Sequence, residues 1–425
     1  MQSEWHRVRV GQLGQIVTGK TPATDDTGNF GGAIPFLTPS DFVDGQRRVK
    51  AARTLSQQGL SLVKNCLVPR GVAVSCIGWQ MGKSVLVDEP TVTNQQINTV
   101  VPDDALVDRL FLYYSLSSIR NKIFELGATS TRTPIVNKTT FSSIEIQLPS
   151  LSNQRAISSL LGTLDDRLDL LRQTNATLES IAQALFKSWF IDFDPVRAKA
   201  EGREPEGMET ETAALFPAEF EGSALGGIPK GWTTKGVGEV FSLIMGQSPP
   251  GDTYNSEGDG LAFYQGRTDF GFRFPSERIY CTAPTRFASA GATLVSVRAP
   301  VGDVNVAVDR CAIGRGLAAV EFECAPAFAL YSMKALRNRF VEFEAHGTVF
   351  GSINKKQFEA LPCIMPSMDV LTKFGRIAGA MDERILVNEL HLRSLSKLRD
   401  TLLPRLVSGQ LRLPEAEAQM SEAIA

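Results

Sequence analysis

A chain of 425 residues is too long for one ordinary core, and 43% hydrophobic with 21% charged residues is the composition of a soluble globular protein of two or more domains. The net charge of −2 is unevenly spread: residues 191–225 hold 3 basic against 9 acidic side chains, whereas residues 1–150 hold 15 against 12 and residues 226–366 hold 14 against 13, so charge neither demands nor excludes a nucleic-acid partner. Six scattered cysteines without a C-x-x-C pair and only three histidines argue against a zinc site, and the start "MQSEWHRVRV" with no long apolar run anywhere points to a cytoplasmic protein with reduced thiols and no membrane segment.

Residues 1–150 open with β-branched and aromatic runs broken by Gly and Pro, such as "GQIVTG", "AIPFLTP" and "GVAVSCIG", which read as strands and turns. A helical stretch, "VDRLFLYYSLSSIRNKIFEL", follows, and then a strand ending in proline, "IEIQLPS". The same plan returns in residues 226–366. "WHRVRVGQLGQIVTGKTP" lies over "WTTKGVGEVFSLIMGQSP" at an offset of 227, and "GVAVSCIG" from Gly71 lies over "GATLVSVR" from Gly291. "YSLSSIRN" lies over "YSMKALRN" and "VNKTTF" over "INKKQF", both at an offset of 217, so the second copy is ten residues shorter in its middle. A period this long excludes a solenoid and means a duplicated mixed α/β domain.

Each copy trails into heptad spacing. In residues 151–192 the seam is Ile157, Leu161, Leu164, Leu168, Leu171, Asn175, Leu178, Ala182, Leu185 and Trp189. In residues 367–412 it is Phe374, Ala378, Met381, Ile385, Asn388, Leu392, Leu395, Arg399, Leu402 and Leu406. Spacing of 4,3,4,3 over more than four heptads is that of a coiled-coil seam, where a helix lying on its own domain's core shows a broader apolar face. If the two helices pair antiparallel with full overlap, facing residue numbers sum to 563, which sets Asn175 against Asn388 as a polar register pin. Thirty-three residues at ~1.5 Å each make a rod of roughly 50 Å. The expected fold is therefore α+β, two homologous domains separated by two long helices in a pseudo-twofold dumbbell. Between the first helix and the second domain, residues 193–225 read as an acidic exposed linker, and residues 413–425 as a flexible tail.

No catalytic signature stands out. "GWQMGKS" has three residues between its glycines where a phosphate loop needs four, so it reads as a strand turn. There is no G-x-S-x-G, no H-E-x-x-H, no G-x-G-x-x-G after a strand, and no Asn/Asp-Pro-Pro-aromatic run; "SPPGDTY" lacks the amide or acid before its prolines. The carboxylates of "LDDRLD" read as solvated flank charges.

The stretch "LPSLSNQRAISSLLGTLDDRLDLLRQTNATLESIAQALFKSWFIDFDPVRAK" closely resembles the central region of specificity subunits of type I restriction–modification systems. "GGIPKGW" resembles the start of their second target-recognition domain and "LRDTLLPRLVSGQLRL" their C-terminal end, so the likeness spans the chain. One departure is that the second helix carries "KFGRI" where the first has "NQRAI". The resemblance implies a non-catalytic subunit whose two domains each read half of a bipartite double-stranded DNA site, with the paired helices setting the gap. It also implies docking of two modification subunits that methylate adenine with S-adenosylmethionine, and of restriction subunits that use ATP and Mg²⁺, with no cofactor held by this chain. A non-DNA scaffold of two binding modules on a coiled-coil strut is the alternative, and an all-in-one methyltransferase or nuclease a second.

Gln and Asn suit adenine edges and Arg and Lys suit guanine. Loop residues of those types are therefore the expected base readers: Lys20, Arg47, Arg48, Gln80, Lys83 and Arg132 in the first domain, and Gln247, Gln265, Arg267, Arg273 and Arg298 in the second. "TGKTP" and "MGQSP" are expected to form matched loops, while Lys138 and Lys355 are expected to reach phosphate at best.

Overall fold

The Gly- and Pro-broken runs form strands and the heptad stretches form two 40-residue helices, Leu151–Phe190 and Met368–Val407, in a computed structural model that describes residues 5–128, 134–298, 300–345 and 351–424. The chain divides into two compact units, residues 1–172 with 390–425, and residues 173–389. Each unit thus holds one head together with about half of each long helix.

In the first head an antiparallel sheet runs in the order Gly14–Thr18, Ile97–Pro102, Gly71–Ser75, Ser84–Val87. A second sheet orders Arg53–Leu55, Phe30–Leu37, Thr91–Thr93, Leu67–Val68, with a parallel pair at its centre. His6–Arg9 pairs with Glu145–Leu148 and closes the head where the long helix begins. The strands Gly71–Ser75 and Ser84–Val87 are buried on both faces, which explains their unbroken apolar letters.

The second head repeats this topology with one added strand, Tyr254–Asn255, at the edge of its second sheet. Ser242–Met245, Leu317–Glu321, Thr293–Val297 and Val301–Val306 form the first sheet, and Leu261–Tyr264 and Cys311–Ile313 supply the parallel pair of the other. Thr233–Gly236 with Pro362–Met365 closes it. Pairing register refines the repeat: Ser75 faces Ile97 and Ser296 faces Leu317, so with Ile97 and Leu317 matched at 220, Ser75 and Ser296 match at 221, one more than the glycines suggest.

The long helices pair antiparallel in the expected register. Within the second unit Asn388 Nδ2 donates to Asn175 Oδ1 at 2.8 Å, and the Trp189 and Phe374 rings lie 6.1 Å apart. Within the first unit Arg399 reaches Asp165 across the pair at 3.2 Å. Ile157, Leu161, Leu164, Leu168, Leu171, Ile385, Leu392, Leu395, Leu402 and Leu406 are buried, whereas Leu178, Leu185 and Met381 are half-buried. The buried face is wider than a two-helix seam, because Leu160, Leu161 and Leu164 share one core with Phe111 and Leu112 of the first head. Phe186, Phe190 and Phe374 likewise share one with Phe328 of the second head. The helices are therefore both each other's partners and the floor of each head.

Two expectations about connecting segments are corrected. Residues 193–225 are not an extended linker: they form the helices Asp194–Ala200 and Thr210–Ala214 and a hairpin, Phe220–Ser223 with Gly226–Pro229. Acidic side chains there face solvent while Phe193, Val196 and Phe216 are buried against Trp189 and Trp232. Phe193 takes a left-handed φ of 56°, a conformation costing a non-glycine residue about 1–2 kcal/mol, which lets the chain turn while its ring stays in the aromatic cluster. Residues 413–424 are likewise helical, with Ala416 buried in the core of the first unit.

Candidate nucleic-acid interface

In the first head, Gly14–Thr18, Phe30–Leu37 and Thr91–Thr93 all end, and Ile97–Pro102 begins, at one edge, where their loops are laced by backbone hydrogen bonds. Lys20 N–H donates to Thr93 O at 2.9 Å and Asn94 N–H to Leu37 O at 2.9 Å. The second head repeats the lacing: Gln247 N–H donates to Ile313 O at 3.0 Å and Gly314 N–H to Tyr264 O at 2.9 Å. "TGKTP" and "MGQSP" are therefore matched loops. Their glycines are needed for close backbone approach, since a Cβ on Gly19 would lie 2.1 Å from Thr93 O and one on Gly246 would lie 2.2 Å from Gly314 O.

This edge presents different side chains on one frame. Lys20 and Gln95 are exposed in the first head, with Thr21 Oγ1 donating to Gln95 Oε1 at 2.6 Å. Their counterparts Gln247 and Arg315 are exposed in the second, where Arg315 N–H donates to Ser248 Oγ at 3.3 Å. Gln265 joins them, because Gly316 N–H donates to its carbonyl at 3.1 Å. Gln80 lies in the turn after Gly71–Ser75 beside Trp79, which is 84% exposed and stacks on Phe124 at 6.0 Å. "GWQMGKS" is thus the strand turn its spacing suggested. Sequence reasoning missed Gln95, Arg315 and Trp79. The first two are adjacent to the matched loops only through strand pairing, and Trp79 sat inside a motif read for its glycines.

Other expected base readers are placed elsewhere. Arg47 and Arg273 are corrected, because both are withdrawn from solvent, at 5% and 1% exposure, and neutralised by the long helices. Arg47 pairs with Asp166 and approaches Asp169 at 3.7 Å. Arg273 pairs with Glu179, meets Asp382 at 2.5 Å, and donates to Tyr331 Oη at 3.0 Å. They anchor each head to its helices. Lys83 pairs with Asp44 at 2.8 Å, Arg48 with Asp88 at 2.6 Å and Arg267 with Asp303 at 2.5 Å. Arg298 is exposed and bridges Ser352 through its backbone, and Arg132 lies outside the described residues.

The carboxylates of "LDDRLD" are not all solvated. Asp165 is buried and accepts from Tyr114 Oη at 2.7 Å, and its repeat partner Asp382 accepts from Tyr331 Oη at 3.2 Å. Burial raises the phenol of Tyr114, with the Asp165 charge adding to it, and burial also lifts the carboxyl of Asp382. Lys334, which contacts Glu179, is pushed down to about 7 by burial and then by Arg273. Gln154 in "NQRAI" is buried and ties helix to head, accepting from Asp108 N–H and donating to Pro149 O, both at 2.9 Å. Its repeat position, Leu371, is a buried apolar residue, so the missing glutamine is replaced by packing. Among the described residues there is no cluster able to hold a metal ion and no helix long and apolar enough to cross a membrane.

These features define a class, a duplicated head with a matched loop edge carried on antiparallel helices. The family model for the type I restriction modification DNA specificity domain matches residues 2–180. The MjaIX type I restriction enzyme specificity subunit of Methanocaldococcus jannaschii is 24% identical over 97% of this chain and 94% of its own. The HindI specificity subunit of Haemophilus influenzae is 25% identical over 75% of this chain and 81% of its own. A crystal structure of a type I system S subunit from M. genitalium shares the fold with a TM-score of 0.61, at 17% identity and 96% coverage of both chains. Along nearly its whole length the chain is thus similar to type I restriction–modification specificity subunits.

Proposed function

We propose that this chain directs, without itself catalysing, adenine methylation and DNA cleavage by a type I complex, each head reading one half of a bipartite site in double-stranded DNA. The observation that carries this reading is the matched edge: two heads with one backbone frame offer Lys20 and Gln95 in one case and Gln247, Gln265 and Arg315 in the other. A shared frame suits one docking geometry on the duplex, and unlike polar letters suit two unlike half-sites. Gln80 and Arg298 are further base-contact residues beside this edge, with Arg48, Lys83 and Arg267 nearer to phosphate. The helix pair sets the gap between half-sites.

The helices also dock two modification subunits. Leu170 and Val387, repeat partners 217 residues apart, are 53% and 42% exposed, which suits two copies of one partner. S-adenosylmethionine belongs to those subunits, and ATP and Mg²⁺ to the restriction subunits. Co-expression with the modification subunit, followed by genome-wide mapping of methylated adenines, tests the reading. A single bipartite motif with two unlike halves is expected. Absence of sequence-specific methylation would leave a scaffold without DNA readout, and methylation by the chain alone would make it an enzyme.

A further inference from the structure

The two units contain the same cleft, between the head helix and the C-terminal half of a long helix (the second long helix in the first unit, the first in the second), but fill it differently. In the first unit it is lined by Tyr114, Arg120, Lys83 and Asp44 and has a volume of about 240 Å³. In the second it is lined by Tyr331, Arg337, Asp303 and Arg267 and opens to about 960 Å³. Tyr331 and Arg337 are the repeat partners of Tyr114 and Arg120.

The difference lies in one loop. Phe42 and Phe270 both close a short helical turn, and Arg47 and Arg273 both receive a backbone bond from the neighbouring strand, so these positions correspond. Four residues separate them in the first head and only Gly271 and Phe272 in the second. The longer loop carries Asp44, whose carboxylate meets Arg120 and Lys83, each at 2.8 Å. Burial raises the Asp44 carboxyl, but the Lys83 hydrogen bond and the Arg120 charge outweigh it and hold it below the ordinary range. The shorter loop has no carboxylate. Arg337 has no ion partner among the described residues, and Arg267 and Lys187, the latter already paired with Asp192, line the same cleft beside Phe270.

We infer that the second cleft is a phosphate-binding site, in which an external anion takes the place that Asp44 fills in the first unit. Phosphate suits it because Arg337 and Arg267 offer planar donor forks and the volume is that of a small-molecule pocket. Asp303 already engages one side of Arg267, so Arg337 is the principal contact. The site rests on the comparison of the two units and not on the DNA reading. Its phosphate can come from a free nucleotide or from a DNA backbone.

The full chain should be titrated calorimetrically with ATP, with inorganic pyrophosphate and with a non-specific duplex, as wild type, Arg337→Glu, Arg337→Lys, and a graft replacing Gly271 and Phe272 with residues 43–46 of the first head. Loss of a charge-assisted contact should weaken binding by about tenfold or more in Arg337→Glu and the graft, with Arg337→Lys intermediate. If ATP or pyrophosphate binds and follows this order, the source is a free phosphate compound. If only duplex affinity follows it, the source is DNA. Unchanged affinity for all three probes in Arg337→Glu, with an unaltered circular dichroism spectrum, overturns the site.

Discussion

Replacing Asn175 and Asn388 with leucine, singly and together, tests whether the polar pair in the helix seam acts as one unit. Both residues are buried, at 1% and 0% exposure, and Asn388 Nδ2 donates to Asn175 Oδ1 at 2.8 Å. Asn175 also donates to Glu389 at 2.8 Å, whereas Asn388 Oδ1 has no partner among the described residues. Asn388→Leu strands Asn175 Oδ1 away from water, and Asn175→Leu strands the Asn388 amide. Each single change should therefore cost about 1–3 kcal/mol, the price of a buried polar group left unmade. The double change removes both groups together, along with an oxygen already unpaired, and should be neutral or stabilising. The expected coupling is the sum of the two single costs, about 2–6 kcal/mol, read from the urea midpoint of the second unit's transition at constant slope. A double mutant destabilised by the sum of the two singles would refute the argument, since no interaction would then link the residues.

Four further outcomes follow from the same contacts. Gly246→Ala should misplace the second head's loop edge, because its Cβ would lie 2.2 Å from Gly314 O, and methylation mapping should show the second half-site weakened while the first is kept. Arg47→Met should cost less than Asp166→Ala combined with Asp169→Ala, because the second variant strands a guanidinium that is 5% exposed; equal melting shifts would count against burial of that charge. Insertion of one heptad into each long helix adds about 10.5 Å, so the gap between methylated adenines should grow by roughly three base pairs with the half-sites unchanged. Lys334 holds its proton to 10.5 when unfolded and to about 7 when folded, so between these values the unfolded state binds more protons and stability rises with pH. Lys334→Met should flatten that rise in thermal melts across the same window.

Legibility from sequence followed the physical origin of each feature. The seam register was readable because heptad spacing is local and antiparallel overlap leaves one sum for facing residues, which the Asn175–Asn388 bond obeys. The duplication was readable because Gly19 and Gly246 must both be glycine to let two strand ends approach. Burial of Arg47, Arg273 and Asp165 was not readable, since a charge is drawn inside only by opposite charges brought from over 90 residues away. The same limit hid Gln95 and Arg315, which join the loop edge only through strand pairing. Residues 193–225 misled through composition: acidic letters outnumber the basic ones, yet Phe193, Val196 and Phe216 suffice to fasten the segment to the core.

The places where the two copies differ in length sharpen the functional argument. The offset falls from 227 at the first strand to 221 at Ser75, to 220 at Ile97, and to 217 at Tyr114. Every step therefore falls between paired strands or before the head helix, and none falls within the matched loops or the long helices. Selection on a duplicated scaffold for one docking frame and two unlike messages would leave this pattern, with length held at the frame and letters free at its edge. A symmetric scaffold binding one ligand twice would instead hold the letters. Lys20 against Gln247, and Gln95 against Arg315, show that the letters were not held.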